Sequence, residues 1–175
     1  MPGKMDINGK HVAVLGAGRS GAAAAALALR EGAIVSVWDK GGSEVFKKVP
    51  AGAVTHAGMK ESDAVDFTGD LIVINPGIDT YSPLVQAFAA KAPLIGETEF
   101  ASRYFDGGII GITGTNGKTT TTELVSRILK QAGLGGTPCG NYGAPLSEVV
   151  LSREMPGAIA LELSSFQLET IDTLR

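Results

Sequence analysis

Three features of this 175-residue sequence carry residue types that do chemistry. The first is Gly16-Ala17-Gly18-Arg19-Ser20-Gly21, with G-x-G-x-x-G spacing. Glycines there let the backbone turn tightly and approach a diphosphate, which a helix N-terminus then meets with free N–H groups. Asp39, 18 residues after Gly21, sits where such sites place an acid on a ribose hydroxyl. The second is Gly114-Thr115-Asn116-Gly117-Lys118-Thr119-Thr120. Amides of Gly114 to Gly117 suit phosphate oxygens, Lys118 supplies a point charge for β- and γ-phosphates, and the Thr119 hydroxyl suits Mg2+. The strict P-loop spacing is not met, because position 112 is Ile and Gly111 lies one residue early. The third is Glu162, an acid within the apolar run Ala160-Leu161-Glu162-Leu163. A buried acid needs a partner or a cation, so Glu162 is the candidate second ligand for Mg2+. The competing reading is an outward-facing Glu on a half-exposed strand.

The elements that must hold these residues alternate. His11–Leu15, Ile34–Trp38, Leu71–Ile74 and Pro93–Ile95 read as strands, and Gly21–Arg30 and Pro83–Ala90 as helices. A second series follows: strand 109–113, helix 118–132, helix 145–153 and strand 159–163. Strands alternating with helices predict βαβ units and parallel sheets. The expected fold is therefore α/β, a Rossmann-like N-terminal domain with a parallel sheet followed by a truncated P-loop α/β domain. We place the boundary near Gly96, giving domains 1–96 and 97–175. The second unit shows only two clear strands, so the sequence is expected to be the N-terminal part of a longer protein.

Asn75-Pro76-Gly77 follows the strand at Leu71. In an open parallel sheet, ligands lie outside the carboxyl ends of the strands, so this turn shares a rim with Gly16 and Asp39. Each glycine loop also has a plain reading, a strand-to-helix turn that holds nothing. The first loop by itself fits NAD, FAD or a UDP-sugar.

Composition narrows the classes. Hydrophobic residues make up 44% and charged residues 19%, a globular balance. Net charge is -3, with no basic stripe, so no nucleic-acid partner is expected. The N-terminus is polar and the longest apolar stretch, Ala22–Leu29, is short, so neither a signal peptide nor a membrane span is expected. A cytoplasmic location follows as the expectation. Cys139 is the single cysteine, so it cannot form an internal disulfide. His11 and His56 lack ligand partners nearby, Trp38 reads as packing, and Lys47-Lys48 as a solvated face.

The order of a GxGxxG loop and then Gly-Thr-Asn-Gly-Lys-Thr-Thr resembles the Mur ligases of peptidoglycan synthesis. Leu161-Glu162-Leu163-Ser164-Ser165-Phe166-Gln167-Leu168-Glu169 and Asn141-Tyr142-Gly143-Ala144-Pro145-Leu146 are similar to the family's D-glutamate-adding branch. The resemblance covers essentially the whole chain but under half of the family's three-domain length. It implies a cell-wall ligase that uses ATP and Mg2+ to join D-glutamate to UDP-N-acetylmuramoyl-L-alanine through an acyl phosphate. Gly114 to Thr120 would bind ATP, with Lys118 and Glu162 catalytic and Thr119 and Glu162 on the metal. Arg19, Ser20, Asp39, Lys40, Asn75, Pro76 and Gly77 would line the UDP-muramoyl site, joined by Asn141. Ser164 and Gln167 would lie near the muramoyl-alanine end. The family's later metal ligands and its glutamate-binding C-terminal domain fall outside this sequence, so the chain alone is expected to be inactive. Two other classes remain at this point: an NAD(P)-binding oxidoreductase, which leaves the Gly-Lys-Thr-Thr loop unexplained, and a non-catalytic nucleotide-binding module.

Overall fold

The computed structural model describes residues 3–174. Met1, Pro2 and Arg175, the outer ends of the two expected domains, lie outside the described residues. The N-terminal sheet holds β1 (His11–Leu15), β2 (Ile34–Asp39), β3 (Val54–Ala57), β4 (Leu71–Ile74) and β5 (Leu94–Gly96). Its order is β3-β2-β1-β4-β5, and every pairing is parallel. Strand order reverses at β1, between β2 and β4, which opens a crevice at their carboxyl ends.

Both faces of this sheet are covered, so its central strands are apolar without alternation. Val12, Val14, Leu71 and Val73 face one core, and Ala13, Leu15, Ile72 and Ile74 face the other. The first core is closed by α1 (Arg19–Arg30) and the second by α2 (Pro83–Ala89), which has proline in its first turn. α1 is nearly all alanine between Gly21 and Ala28 because it is buried on more than one side. It packs on the sheet and also on α5 (Leu146–Leu151) of the second unit. The small side chains permit both close approaches.

The second sheet contains β6 (Gly108–Ile112), β7 (Gly135–Gly140) and β8 (Ala158–Glu162) in the order β6-β8-β7, all parallel. α4 (Lys118–Gln131) packs over β7 and β8. The expectation of two strands is corrected to three. β7 reads Gly-Gly-Thr-Pro-Cys-Gly, which has the composition of a loop. Its glycines are there for contact: at Gly136 (φ +72°) a Cβ would lie 2.1 Å from Ser126 O on α4.

Other elements escaped the sequence reading. β3 is an edge strand with Val54 and Thr55 exposed, so it lacks a buried face. Two 3-10 turns occupy Ser43–Lys48 and Glu61–Ala64. The boundary segment proved to be α3 (Glu97–Ser102), a helix with all six residues buried, and a short α6 (Ser165–Leu168) follows β8. Trp38 packs as expected, stacking on the His56 ring at 3.7 Å between centroids.

Candidate functional site

The first glycine loop runs from β1 into α1 at the crevice. Gly16 has φ +99°, and a Cβ there would meet Asn75 Cβ and Ile78 Cδ1 at 2.9 Å. A Cβ at Gly21 would lie 1.9 Å from Gly16 O, so only glycine allows the helix to start so close to the strand. α1 begins with no side-chain cap and no acid in its first turn. Its leading N–H groups therefore point outward without an intrahelical partner, a ready anion site. Asp39 closes the far side of this loop. Its Oδ2 accepts from Ala17 N at 2.7 Å and its Oδ1 from Gly41 N at 2.8 Å. The carboxylate thus shapes the loop as well as standing in the crevice. A cavity of about 390 Å3 opens beside it, lined by Asp39, Lys40, Met59, Gly77 and Ile78 among others. Asn75 and Pro76 are half-buried at its margin.

The second loop joins β6 to α4. Gly114 and Gly117 take φ +144° and +79°, left-handed values that favour glycine. α4 also starts without a side-chain cap or an acid in its first turn. Lys118 Nζ folds back onto Gly114 O at 2.6 Å, across the mouth of the loop. Thr119 and Thr120 are exposed beside it.

Glu162 is only 2% exposed, and every residue of β8 is buried. The half-exposed-strand reading is thereby excluded. The strand registers Glu162 against Ile112 on one side and Gly140 on the other, which puts it on the rim where the second glycine loop leaves β6. Oε1 accepts from Asn141 Nδ2 at 2.8 Å, while Oε2 is buried with no hydrogen-bond partner. An orphaned carboxylate oxygen on the rim of the hydroxyl-bearing second glycine loop fits a hard cation. Among the described residues no cluster of three or more His, Cys, Asp or Glu could hold a metal. Glu162 Oε2 and the Thr119 hydroxyl are hard oxygen donors of the kind that suit Mg2+, which keeps waters and phosphate oxygens around one or two protein ligands.

Several expected substrate residues are engaged with the protein itself. Arg19 forks onto Glu148 of α5 and also donates from Nη1 to Gly143 O at 3.0 Å. Its side chain is turned from the crevice toward the second unit, and what it offers the crevice is its place in the first turn of α1, with Ser20. Gln167 is 3% exposed. Its Oε1 accepts from Ser164 N at 3.0 Å, its N donates to Ser164 Oγ at 3.2 Å, and its Nε2 donates to Thr98 Oγ1 at 3.1 Å. Ser164 and Gln167 therefore form a capping box on α6, docked onto α3.

The α3 residues went unremarked in the sequence. Glu97 Oε1 accepts from Ser147 N at 2.7 Å, tying α3 to the start of α5. Burial pushes its carboxyl above the usual range, against the pull of that amide. Glu99 accepts from the amides of Asp172, Thr173 and Leu174 and pairs with Arg103 at 2.7 Å. Burial works to raise its pKa but is outweighed by Thr173, Arg103 and those amides, so it falls. The available signal was two acids flanking a threonine with apolar residues on both sides. Cys139 is buried, its thiol pushed up to about 12 by burial and then by Glu97, which leaves it inert as a nucleophile. A groove of about 440 Å3 between β7 and α5, lined by Leu134, Val149 and Met155 among others, holds none of the candidate residues.

Two family models match successive stretches of the chain. Residues 10–96 match the family described as "Mur ligase MurD-like, N-terminal domain", and residues 112–175 match "Mur ligase middle domain". The UDP-N-acetylmuramoylalanine--D-glutamate ligase of Anaeromyxobacter dehalogenans is 44% identical over 97% of this chain and 38% of its own length. The protein of that name from Lactococcus lactis subsp. cremoris is 43% identical over 95% of this chain and 38% of its own. The chain thus spans about 38% of the length of these relatives. A solved UDP-N-acetylmuramate:L-alanyl-gamma-D-glutamyl-meso-diaminopimelate ligase from Neisseria meningitides shares the fold. Its TM-score is 0.51 at 23% identity, covering 88% of this chain and 52% of that one.

Proposed function

This chain belongs to the Mur ligase family, with N-terminal and middle domains matched in order, and from that premise we propose that it serves ATP-dependent addition of D-glutamate to UDP-N-acetylmuramoyl-L-alanine. ATP transfers its γ-phosphoryl group to the carboxylate of the L-alanyl group and leaves as ADP. The D-glutamate amine then attacks the acyl phosphate, forming an amide and releasing phosphate. Residues 1–96 bind the UDP-sugar and residues 97–175 contribute the ATP site. The reaction runs in the cytoplasm.

The carrying observation is Glu162: a buried carboxylate with one unpartnered oxygen, level with the end of β6 where the phosphate loop begins. Amides of Gly114, Thr115, Asn116 and Gly117 cradle the phosphates. Lys118 exchanges its contact with Gly114 O for the β- and γ-phosphates, and Thr120 sits in the same first turn. Thr119 and Glu162 would hold Mg2+, which would supply neutralisation of the negative charge on the transferred phosphoryl group. On the other rim, the first turn of α1 at Arg19 and Ser20 takes the diphosphate. Asp39, Lys40, Asn75, Pro76 and Gly77 line the nucleoside side of the crevice. Asn141 and Ser164 meet the muramoyl-alanine end, and Gln167 holds Ser164 in place.

Calorimetry with UDP-N-acetylmuramoyl-L-alanine, ATP with Mg2+, and NADH tests the reading. The UDP-sugar and ATP should bind together, each leaving the other's site open. Tighter binding of NADH than of the UDP-sugar would overturn it in favour of an oxidoreductase.

A further inference from the structure

Asn141 makes two hydrogen bonds to one residue. Its backbone N donates to Glu162 O at 2.9 Å, and its Nδ2 donates to Glu162 Oε1 at 2.8 Å. A carboxylate is acceptor-only when ionised, so the amide nitrogen, not the amide oxygen, faces it. The first bond pins the main chain at the end of β8. The second occupies one carboxylate oxygen and stops the group from rotating, which leaves Oε2 as the free one, buried and unpartnered.

The loop that carries Asn141 is itself held at both ends. Gly140 has φ +94°, and a Cβ there would lie 2.3 Å from Glu162 O. Gly143 has φ +91°, and a Cβ there would lie 2.2 Å from Pro138 O. Gly143 O also accepts from Arg19 Nη1. The loop therefore has little freedom to carry the Asn141 amide away from Glu162.

We propose that Asn141 is a positioning residue for the cation site: it locks the Glu162 carboxylate so that Oε2 alone faces a divalent ion. This rests on the reading of Glu162 as a metal ligand, and it gives Asn141 a task separate from lining the substrate cleft. Groups that orient a metal ligand typically change metal affinity by about 10- to 100-fold when removed.

The test compares wild type with Asn141→Leu, which removes the donor at similar volume, and Asn141→Gln, which keeps an amide on a longer stem. Mn2+ binding is followed by electron paramagnetic resonance with ATP present. ATP binding in a chelator, UDP-sugar binding and thermal melting are measured alongside. Mn2+ affinity should fall about tenfold or more in Asn141→Leu and less in Asn141→Gln, with metal-free ATP binding unchanged and the metal-free protein melting lower in Asn141→Leu, because Glu162 Oε1 then loses its buried donor. Wild-type Mn2+ affinity in Asn141→Leu overturns the proposal, whether melting or UDP-sugar affinity changes or not. If Asn141→Leu fails to fold, Asn141→Gln decides: an unchanged Mn2+ affinity overturns the proposal. Wild type that binds ATP but no Mn2+ beside it removes Glu162 from the metal site, and the inference falls with that reading.

Discussion

Arg19 Nη2 stands 2.7 Å from Glu148 Oε2, and Arg19 Nε stands 2.9 Å from Glu148 Oε1. The two residues are 129 positions apart. One opens the helix behind the first glycine loop, and the other lies on the helix that follows the Asn141 loop. A two-pronged Arg–carboxylate pair is directional as well as attractive, so it fixes how the two loops face each other. Arg30 Nη1, donating to Val150 O at 2.8 Å, repeats the tie at the far end of α1.

That pair is partly open to solvent, with the Arg19 and Glu148 side chains 54% and 38% exposed. Arg19→Ala should therefore lower unfolding free energy by no more than about 1 kcal/mol at low ionic strength. The gap to wild type should narrow in roughly 1 M salt, where screening is short-ranged. Urea unfolding at both salt levels measures it. A gap independent of salt would assign the loss to packing and the Gly143 contact instead.

Two glycines of the first loop should separate folding from binding. Gly21→Ala sets a methyl against Gly16 O at 1.9 Å and should cost about 2 kcal/mol of stability. Gly18 has φ -64°, and a Cβ there meets Asn75 Nδ2 at 3.0 Å. Gly18→Val should stay within about 1 kcal/mol of wild type in stability yet lose UDP-sugar binding, because its methyls fill the diphosphate space. Thermal melting and calorimetry on both variants check the split. Full binding by Gly18→Val would move the diphosphate off this loop.

Glu162→Gln should make the protein more stable and bind cations less well. The substitution conserves volume and removes a buried negative charge, offset in part by an amide NH2 left without a partner where Oε2 stood, for a net gain of roughly 1 kcal/mol. Strain of this kind is retained where function needs it. Lys118→Ala should leave stability unchanged and weaken ATP binding. In a ligation assay on a protein carrying this chain at its relatives' full length, each should lower kcat about 10²-fold, or roughly 2.7 kcal/mol. Excess Mg2+ should partly restore Glu162→Gln and not Lys118→Ala. Near-wild-type turnover by Glu162→Gln at low Mg2+ would dismiss the carboxylate from the metal site.

Glu97 and Glu99 should give opposite pH dependences. Burial raises Glu97 above its ordinary 4.5, so the folded state holds that proton more tightly. Its contribution is complete below that ordinary value and is lost as pH rises through the folded value. Glu97→Gln should thus gain stability relative to wild type at about pH 8, with the gain vanishing near about pH 4. Glu99 is lowered on balance, so its contribution is present above 4.5 and is lost as pH falls through the folded value. Glu99→Gln should cost about 3 kcal/mol at neutral pH and progressively less in acid. Denaturant midpoints across that range decide both, and parallel profiles would sink the assignment.

Residue order alone determined the α/β class, the two glycine loops and the suspicion attached to Glu162. Such features are local: a strand, a turn that needs glycine and a helix start lie within about ten residues of one another, and G-x-G-x-x-G and Gly-Lys-Thr-Thr declare themselves by spacing. Strand β7 was hidden because its glycines serve contact with α4, so composition and role disagree. Helix α3 was hidden because its buried side chains are polar, and their partners at Ser147, Gln167 and Thr173 lie 50, 69 and 74 positions away. Tertiary structure alone decided that Arg19 faces Glu148, that Gln167 caps Ser164, and that Asn141 takes one oxygen of Glu162 and leaves the other bare. Those are pairings between distant segments, and no local periodicity encodes which donor will meet which acceptor once two sheets share a core.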